Sequence, residues 1–244
     1  MPGGTTLGLT VRPHSATGRS GHVATRRSGG KQYIPRPAVW EPGGRLVPAT
    51  HPLRVTVDDI AVALADAPPG QPLAPAFEGA RASAVLVGLA DGPAGAEVLL
   101  TRRAWDLRQH KGEISFPGGR IDPGETPAEA AVREAWEEVA LDPADVELIG
   151  ELDHLSTVVS RSYIVPLVAR LPGLLPLAPA SPEVERVLWI PLAELVRSDT
   201  YRSERWGRPP TDRLLHFFEL DDETVWGATA HMLVDLLSRL APDR

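Results

Sequence analysis

The 244-residue sequence contains no cysteine. That absence excludes a disulfide framework, a thiol nucleophile, iron–sulfur ligation and any zinc site that draws on cysteine, and it leaves the redox character of the compartment undecided. Long apolar runs are lacking too. The longest uncharged apolar stretch, Ala82 to Ala90, falls well short of the roughly 18 residues a membrane span needs, and Leu171 to Pro182 is broken by proline. No membrane contact is expected, and the expected setting is the cytoplasm. Lysine is scarce, 2 residues against 23 arginines, a bias that points to a GC-rich coding sequence rather than to a function.

Acids are scarce in one region only. Residues 1–50 hold seven Lys or Arg side chains against the single acid Glu41, a net +6, while the rest of the chain carries 18 basic and 31 acidic side chains, a net −13. An acidic body repels a nucleic-acid backbone at long range, so neither DNA nor RNA is an expected partner. Such a body needs a reason to meet phosphate, and divalent metal is one, because clustered carboxylates that bind a cation turn a repulsive surface into a phosphate-binding one.

Residues 1–50 are rich in Gly, Pro, Ser, Thr and Arg and show no sustained period of 2 or 3.6, so they are expected to form a disordered basic tail. They lack the apolar core of a secretory signal. Residues 51–244 are expected to form one α/β domain. Thr56 is an N-cap followed by acids and helically spaced apolar residues, which predicts a short helix. A Pro-rich connector, Ala67 to Pro75, leads to strands over Ser83–Leu89 and Ala96–Thr101, joined by the turn Asp91-Gly-Pro-Ala-Gly95. Further strands are expected at Glu113–Phe116, Val146–Leu152, Tyr163–Leu171 and Arg186–Ile190. Helices are expected at Thr126–Val139, just after Pro191, and at Thr224–Leu240. No Gly-rich fingerprint follows the first strand, which argues against a doubly wound dinucleotide fold.

The most informative run is Gly119 to Leu141. Thr126 is an N-cap, Pro127 suits the first helical position and Glu129 completes a capping box, while Asp142-Pro143 ends the helix. At about 100° per residue, Glu134 and Glu138 project about 40° apart and Glu137 about 60° to the other side of Glu134, so three carboxylates share a face. Val132, Trp136 and Val139 are expected to form the apolar stripe opposite. Like charges at these spacings destabilise a bare helix, and Arg133 or a hard divalent cation is the natural compensation. A solvated acidic face is the alternative. Against it stands the approach from Phe116-Pro-Gly-Gly119, where paired glycines let backbone come close to a ligand or metal.

With Gly119, Glu125, Arg133, Glu134, Glu137 and Glu138 spaced as G-x5-E-x7-R-E-x2-E-E, the segment resembles the Nudix box of pyrophosphohydrolases. Six fixed residues arise together by chance in about one chain in tens of thousands. One departure is Ala140, where the general box has glycine. Upstream, the run Leu99 to Gly119 resembles the additional signature of the coenzyme A pyrophosphatase branch, L-L-T-x-R-(S/A)-x3-R-x3-G-x3-F-P-G-G, at every specified position. Pro182 to Glu185, Trp189 to Leu192 and Val225 to Ala230 extend the resemblance over roughly residues 80 to 240. After the strand that follows the box, related enzymes tend to carry a Thr-x-Ser-Gly-like turn, where this chain has Thr157 to Tyr163 with Arg161 in place of the small residue.

The resemblance implies an α/β/α sandwich with a mixed β-sheet, and hydrolysis of coenzyme A or a derivative to a 4′-phosphopantetheine product and adenosine 3′,5′-bisphosphate. It implies Mg²⁺ or Mn²⁺ held by Glu134 and Glu138, with catalytic roles for Glu137, Arg133 and Glu125. Arg102, Arg103, Arg108 and Lys111 concentrate positive charge ahead of the glycine turn and are candidate substrate ligands, together with the backbone of Gly118 and Gly119. His110 belongs to the same cluster, and an orienting or packing role suits it as well as a catalytic one. Glu183 and Glu185 are candidate general bases. Trp226 is expected in the core rather than on an adenine. The expected partner is a small nucleotide diphosphate, and a homodimer is an admissible assembly. Two rivals remain: a Nudix enzyme acting on ADP-ribose or NADH, and a nucleotide-binding sensor of the same fold that does not hydrolyse.

Overall fold

A computed structural model describes residues 29–44, 54–68, 70–71, 79–157 and 161–240. The chain forms strands β1 (Trp40–Pro42), β2 (Arg81–Gly92), β3 (Gly95–Arg103), β4 (Ile114–Ser115), β5 (Gly118–Arg120), β6 (Glu147–Glu151), β7 (Leu155–Thr157), β8 (Ser162–Arg170), β9 (Val184–Pro191), β10 (Tyr201–Trp206), β11 (Arg213–Glu219) and β12 (Thr224–Trp226). The helices are α1 (Val57–Asp66), α2 (Pro127–Val139), α3 (Leu192–Leu195) and α4 (Gly227–Arg239). No described helix is long and apolar enough to cross a membrane.

The larger sheet runs β4-β3-β2-β8-β6, with β5 also on β2, β7 on β8 and β9 on β3. Its β2–β8 pair is parallel and its other pairs are antiparallel, so the sheet is mixed. Alternating side chains of β2 serve both faces, as the period of two requires. Ala84, Leu86 and Ala90 meet α2, whereas Val87 and Leu89 join the core that holds Ile60 of α1 and Leu233 and Leu236 of α4. Helices therefore cover both faces, the expected α/β/α arrangement. A second sheet, β1-β10-β11-β12, is wholly antiparallel.

Three expectations are corrected. The basic segment does not lie wholly outside the fold, because Trp40–Pro42 pairs with Glu204–Trp206 and Gly43 N–H donates to the Ser203 carbonyl at 2.9 Å. Its residues 1–28 and 45–50 lie outside the described residues, as do parts of the connector. The run Thr224–Leu240 is not a single helix: Thr224–Trp226 pairs with β11, and Gly227, at φ 64°, turns the chain into α4. Trp226 itself is half-buried, 6.2 Å from the Trp206 ring in a cluster of aromatic side chains on the second sheet.

The third correction concerns α2. Its capping box forms, with Thr126 accepting from the Glu129 N–H and Glu129 reaching back to the Thr126 N–H. Its buried face, however, is Ala130, Ala131, Ala135, Glu138 and Val139, while Trp136 is 56% exposed. Trp136 projects about 140° from Ala131. Small side chains let the helix lie close against β2 and β5, and that close approach turns Glu138 inward and Trp136 outward.

Candidate active site

The acidic helix meets the glycine turn across β5. Antiparallel pairing of Gly118–Arg120 with Ser83–Val85 sets the turn on the main sheet. A Cβ on Gly118 would stand 2.4 Å from the Ala84 carbonyl, and one on Gly119 would stand 2.3 Å from Glu134 Oε1. Both glycines are thus required by close approach, the first to the sheet and the second to a carboxylate.

Arg133 organises the acids. Its Nε and Nη2 donate to the two oxygens of Glu125 at 2.8 and 3.0 Å, a bidentate pair, and Nη2 also donates to the Arg120 carbonyl at 3.0 Å. Nη1 donates to Glu134 at 2.9 Å and reaches Glu137 at 3.5 Å. The Arg133 hydrogen bond holds the Glu125 carboxyl below its usual range, and Glu125 in turn raises the Arg133 guanidinium further above its own. Glu138 faces the opposite condition. It is 7% exposed, and burial pushes its pKa up to about 7 against the lowering effect of a 3.3 Å hydrogen bond from the Gly118 N–H; nearby Glu134 adds to the rise. The three carboxylates therefore do not share one outward face. Glu138 turns to the sheet, Glu134 lies against Gly119, and the Glu137 side chain is half exposed.

Among the described residues, no three Asp, Glu or His side chains converge as they stand on a point that would hold a metal ion. Glu134 is turned to Arg133 and Glu138 to the Gly118 N–H. The donor set nonetheless suits a hard divalent cation: two carboxylates within charge range of each other, one desolvated, beside a glycine whose missing Cβ admits the Glu134 carboxylate.

The cations expected to bind substrate fall into two groups. Arg102 donates to Glu223 at 2.6 Å and pairs with Glu185 at 3.4 Å, so it is tied to buried acid. Arg103 donates to Glu183 at 3.0 Å, and its charge acts on both Glu138 and His110. Of the two candidate bases, Glu183 is the one whose charge reaches Glu138. Arg108 and Lys111 are exposed, and no ion pair engages them among the described residues. They sit on the loop between β3 and β4, whose ends are joined by the Arg103 N–H to Glu113 carbonyl bond at 2.9 Å. His110 is bonded to Glu113 through Nδ1 at 2.8 Å, which raises its pKa and makes it a brace of that loop. Glu223 is a site-supporting residue that the sequence pattern does not reveal. It is 2% exposed and takes both Arg102 and Arg186, a contact across 121 residues that no local spacing signals.

An acidic helix entered from a glycine pair on a mixed sheet, with helices on both faces, is the arrangement of a Nudix-type α/β fold. A model of the NUDIX domain matches residues 80–223. The chain is 34% identical over 181 residues to Nudix hydrolase 3 of Caenorhabditis elegans, covering 66% of this chain and 74% of that protein. It is 36% identical over 163 residues to the uncharacterized Nudix hydrolase NudL of Salmonella newport, covering 64% and 81%. Among solved structures it is similar to a Caenorhabditis elegans Ap4A hydrolase, with a TM-score of 0.40 and 23% identity over 45% of this chain and 80% of that one. The chain belongs to the Nudix hydrolase family. Its reaction class is pyrophosphohydrolysis of a nucleoside diphosphate derivative.

Proposed function

We propose that this enzyme hydrolyses the pyrophosphate bond of coenzyme A or its derivatives, giving a 4′-phosphopantetheine product and adenosine 3′,5′-bisphosphate. The observation that carries this reading is the pair of exposed cations Arg108 and Lys111, engaged by no ion pair among the described residues, on the loop that follows Arg103, whose charge acts on Glu138. Coenzyme A carries a 3′-phosphate in addition to its pyrophosphate, and exposed cations on the loop that follows Arg103 suit that extra charge. The signature from Leu99 to Gly119 supports the same substrate.

Hydrolysis adds water across the bridge: one P–O bond forms to the water oxygen, the bridging P–O bond breaks, and a proton leaves the water. Glu134 and Glu138 would hold Mg²⁺ or Mn²⁺, with Glu137 sharing in binding or orienting water. When bound, the cation supplies neutralising charge and Lewis acidity at the pyrophosphate. Arg133, held by Glu125, fixes where the Glu134 carboxylate lies, so both are positioning residues. Arg103 contributes positive charge near Glu138, the Gly118 N–H holds the Glu138 carboxylate, and the missing Cβ of Gly119 admits the carboxylate of Glu134. Glu183 is the better supported of the two base candidates for receiving the proton. Arg102, tied to Glu223, steadies the end of β3 beside Arg103.

The test is turnover of coenzyme A, ADP-ribose and NADH with Mg²⁺ and with Mn²⁺, with products identified by mass. Faster turnover of ADP-ribose than of coenzyme A overturns the substrate assignment. Glu134→Gln and Glu138→Gln should each lower activity by about 100-fold or more; activity surviving both changes with unaltered metal dependence overturns the metal site.

A further inference from the structure

The loop between β3 and β4 carries an aromatic side chain that the proposed chemistry does not use. Trp105 is 41% exposed, although it lies one residue from buried Ala104 and two from Arg103. Its indole is not loosely placed. A Cβ on Gly112 would stand 2.4, 2.5 and 2.6 Å from three adjacent carbons of the six-membered ring, so one side of the indole rests directly on the Gly112 backbone. Gly112 is buried and takes φ 64°, and His110 takes φ 56° with its ring bonded to Glu113. Two left-handed residues and that bond shape the loop so that its tryptophan is seated on Gly112 on one side while 41% of it stays exposed. Covering the exposed part of a large apolar ring with a ligand is favourable. Here the neighbours on the loop are the exposed Arg108 and Lys111, and Arg103 ties the loop electrostatically to Glu138.

A pinned, partly exposed indole on a loop that also carries two exposed cations suits a planar aromatic ring that carries phosphate. We propose that Trp105 is a specificity residue whose exposed part stacks on the purine base of the substrate, with Arg108 and Lys111 of the same loop for the phosphate on the attached ribose. This deepens the coenzyme A reading and rests on it for the identity of the base and of that phosphate. Trp105 binds and orients the adenosine half and takes no part in the proton or phosphoryl steps.

The test uses the full chain as wild type, Trp105→Ala and Trp105→Phe, with thermal melting to show that all three are folded. Calorimetric titration with adenosine 3′,5′-bisphosphate and separately with 4′-phosphopantetheine reads the two halves of the substrate. Loss of base stacking should weaken adenosine 3′,5′-bisphosphate by about tenfold or more in Trp105→Ala, with Trp105→Phe restoring most of it and 4′-phosphopantetheine unaffected. In coenzyme A hydrolysis the same change should raise KM by a similar factor with kcat little altered. Equal affinity of wild type and Trp105→Ala for the bisphosphate, or equal losses for both halves, overturns the stacking role. Failure of the wild type to hydrolyse coenzyme A overturns the substrate reading instead, and the bisphosphate titration still decides whether Trp105 holds a purine.

Discussion

Ala140 and Arg161 stand where the sequence departs from the family pattern, and both keep the backbone that glycine would have provided. Ala140 caps α2 at φ 57°, ψ 31°, its N–H bonded to the Ala135 and Trp136 carbonyls, and Arg161 begins the approach to β8 at φ 52°. Left-handed backbone costs a residue with a Cβ roughly 1–2 kcal/mol. Part of that is regained because alanine loses less entropy than glycine on folding. Ala140→Gly is therefore expected to stabilise the protein by about 0.5–1 kcal/mol, raising Tm by about 2–3 °C in a thermal melt. Gly119 is the opposite case, a glycine fixed by a carboxylate. Gly119→Ala would drive a methyl group to within 2.3 Å of Glu134 Oε1, so Glu134 must swing away from Arg133. Assays should show a loss of activity of about 10- to 100-fold with the fold retained by circular dichroism, the scale typical of disturbing a ligand's supports. At this scale the helix that carries the box was legible, because Thr126, Pro127 and Glu129 form the start their types imply and Arg133 reaches Glu134 and Glu137 from the same helix. What spacing did not reveal is depth. The inward turn of Glu138 follows from the alanines beneath α2, and the expected stripe through Trp136 failed because size, rather than hydrophobicity alone, decides how closely a helix lies on a sheet.

Strands β10 and β11 were not legible, and their charges explain why. Tyr201–Trp206 places Arg202 and Glu204 on one face, where alternating polar residues read as solvent-facing, yet Glu204 is 3% exposed and Glu219 9%. Arg202 pairs with both, and Arg36 pairs with Glu204 from the other side. The face that carries Arg202, Glu204 and Glu219 is buried in large part through ion pairing that no single run discloses. The inner face of β11 carries His216, 6% exposed, its Nδ1 hydrogen-bonded with the Tyr201 hydroxyl at 2.8 Å and its ring 5.8 Å from that of His231. Burial, and then the charge of His231, lower its pKa from 6.5 to about 4. The folded protein thus resists a proton that the unfolded chain accepts. Its contribution to stability is complete above about pH 6.5 and is lost as pH falls toward 4, for a total of about 3 kcal/mol. Urea unfolding at pH 7, 5.5 and 4.5 should show this loss in the wild type, and His216→Gln should lack the part of the slope that lies between pH 6.5 and 4. A slope unchanged by that substitution would place the acid sensitivity elsewhere.

Across the whole molecule, the two sheets depend on one another and on a segment that composition marks as a tail. Residues 29–44 cross the outer face of the second sheet. Gly29 N–H donates to the Leu220 carbonyl at 3.0 Å, Gly30 N–H to Thr224 Oγ1 at 2.9 Å, and Gly207 N–H to the Val39 carbonyl at 3.0 Å. The Arg36 guanidinium lies 4.0 Å from the centre of the Trp40 ring while pairing with Glu204. Low-complexity composition hid this order, since glycine, proline and arginine are as suited to an extended strap held by backbone bonds and one ion pair as to a solvated tail. The second sheet in turn presents Glu223, just before Thr224, to Arg102 at the end of β3, next to Arg103. Comparing a chain of residues 29–244 with one of residues 45–244 isolates the strap. Its removal takes away several backbone hydrogen bonds worth about 1 kcal/mol each, together with the Arg36–Glu204 pair, and leaves Glu204 to Arg202 and the Trp206 indole N–H alone. The shorter chain is expected to lose about 3 kcal/mol or more, a fall in Tm of about 10 °C. Activity at a temperature where both chains are folded should fall less than stability does, because Glu223 and Arg102 remain paired without the strap. An activity loss as large as that of Glu134→Gln would instead mean that the strap itself reaches the catalytic end of the sheet.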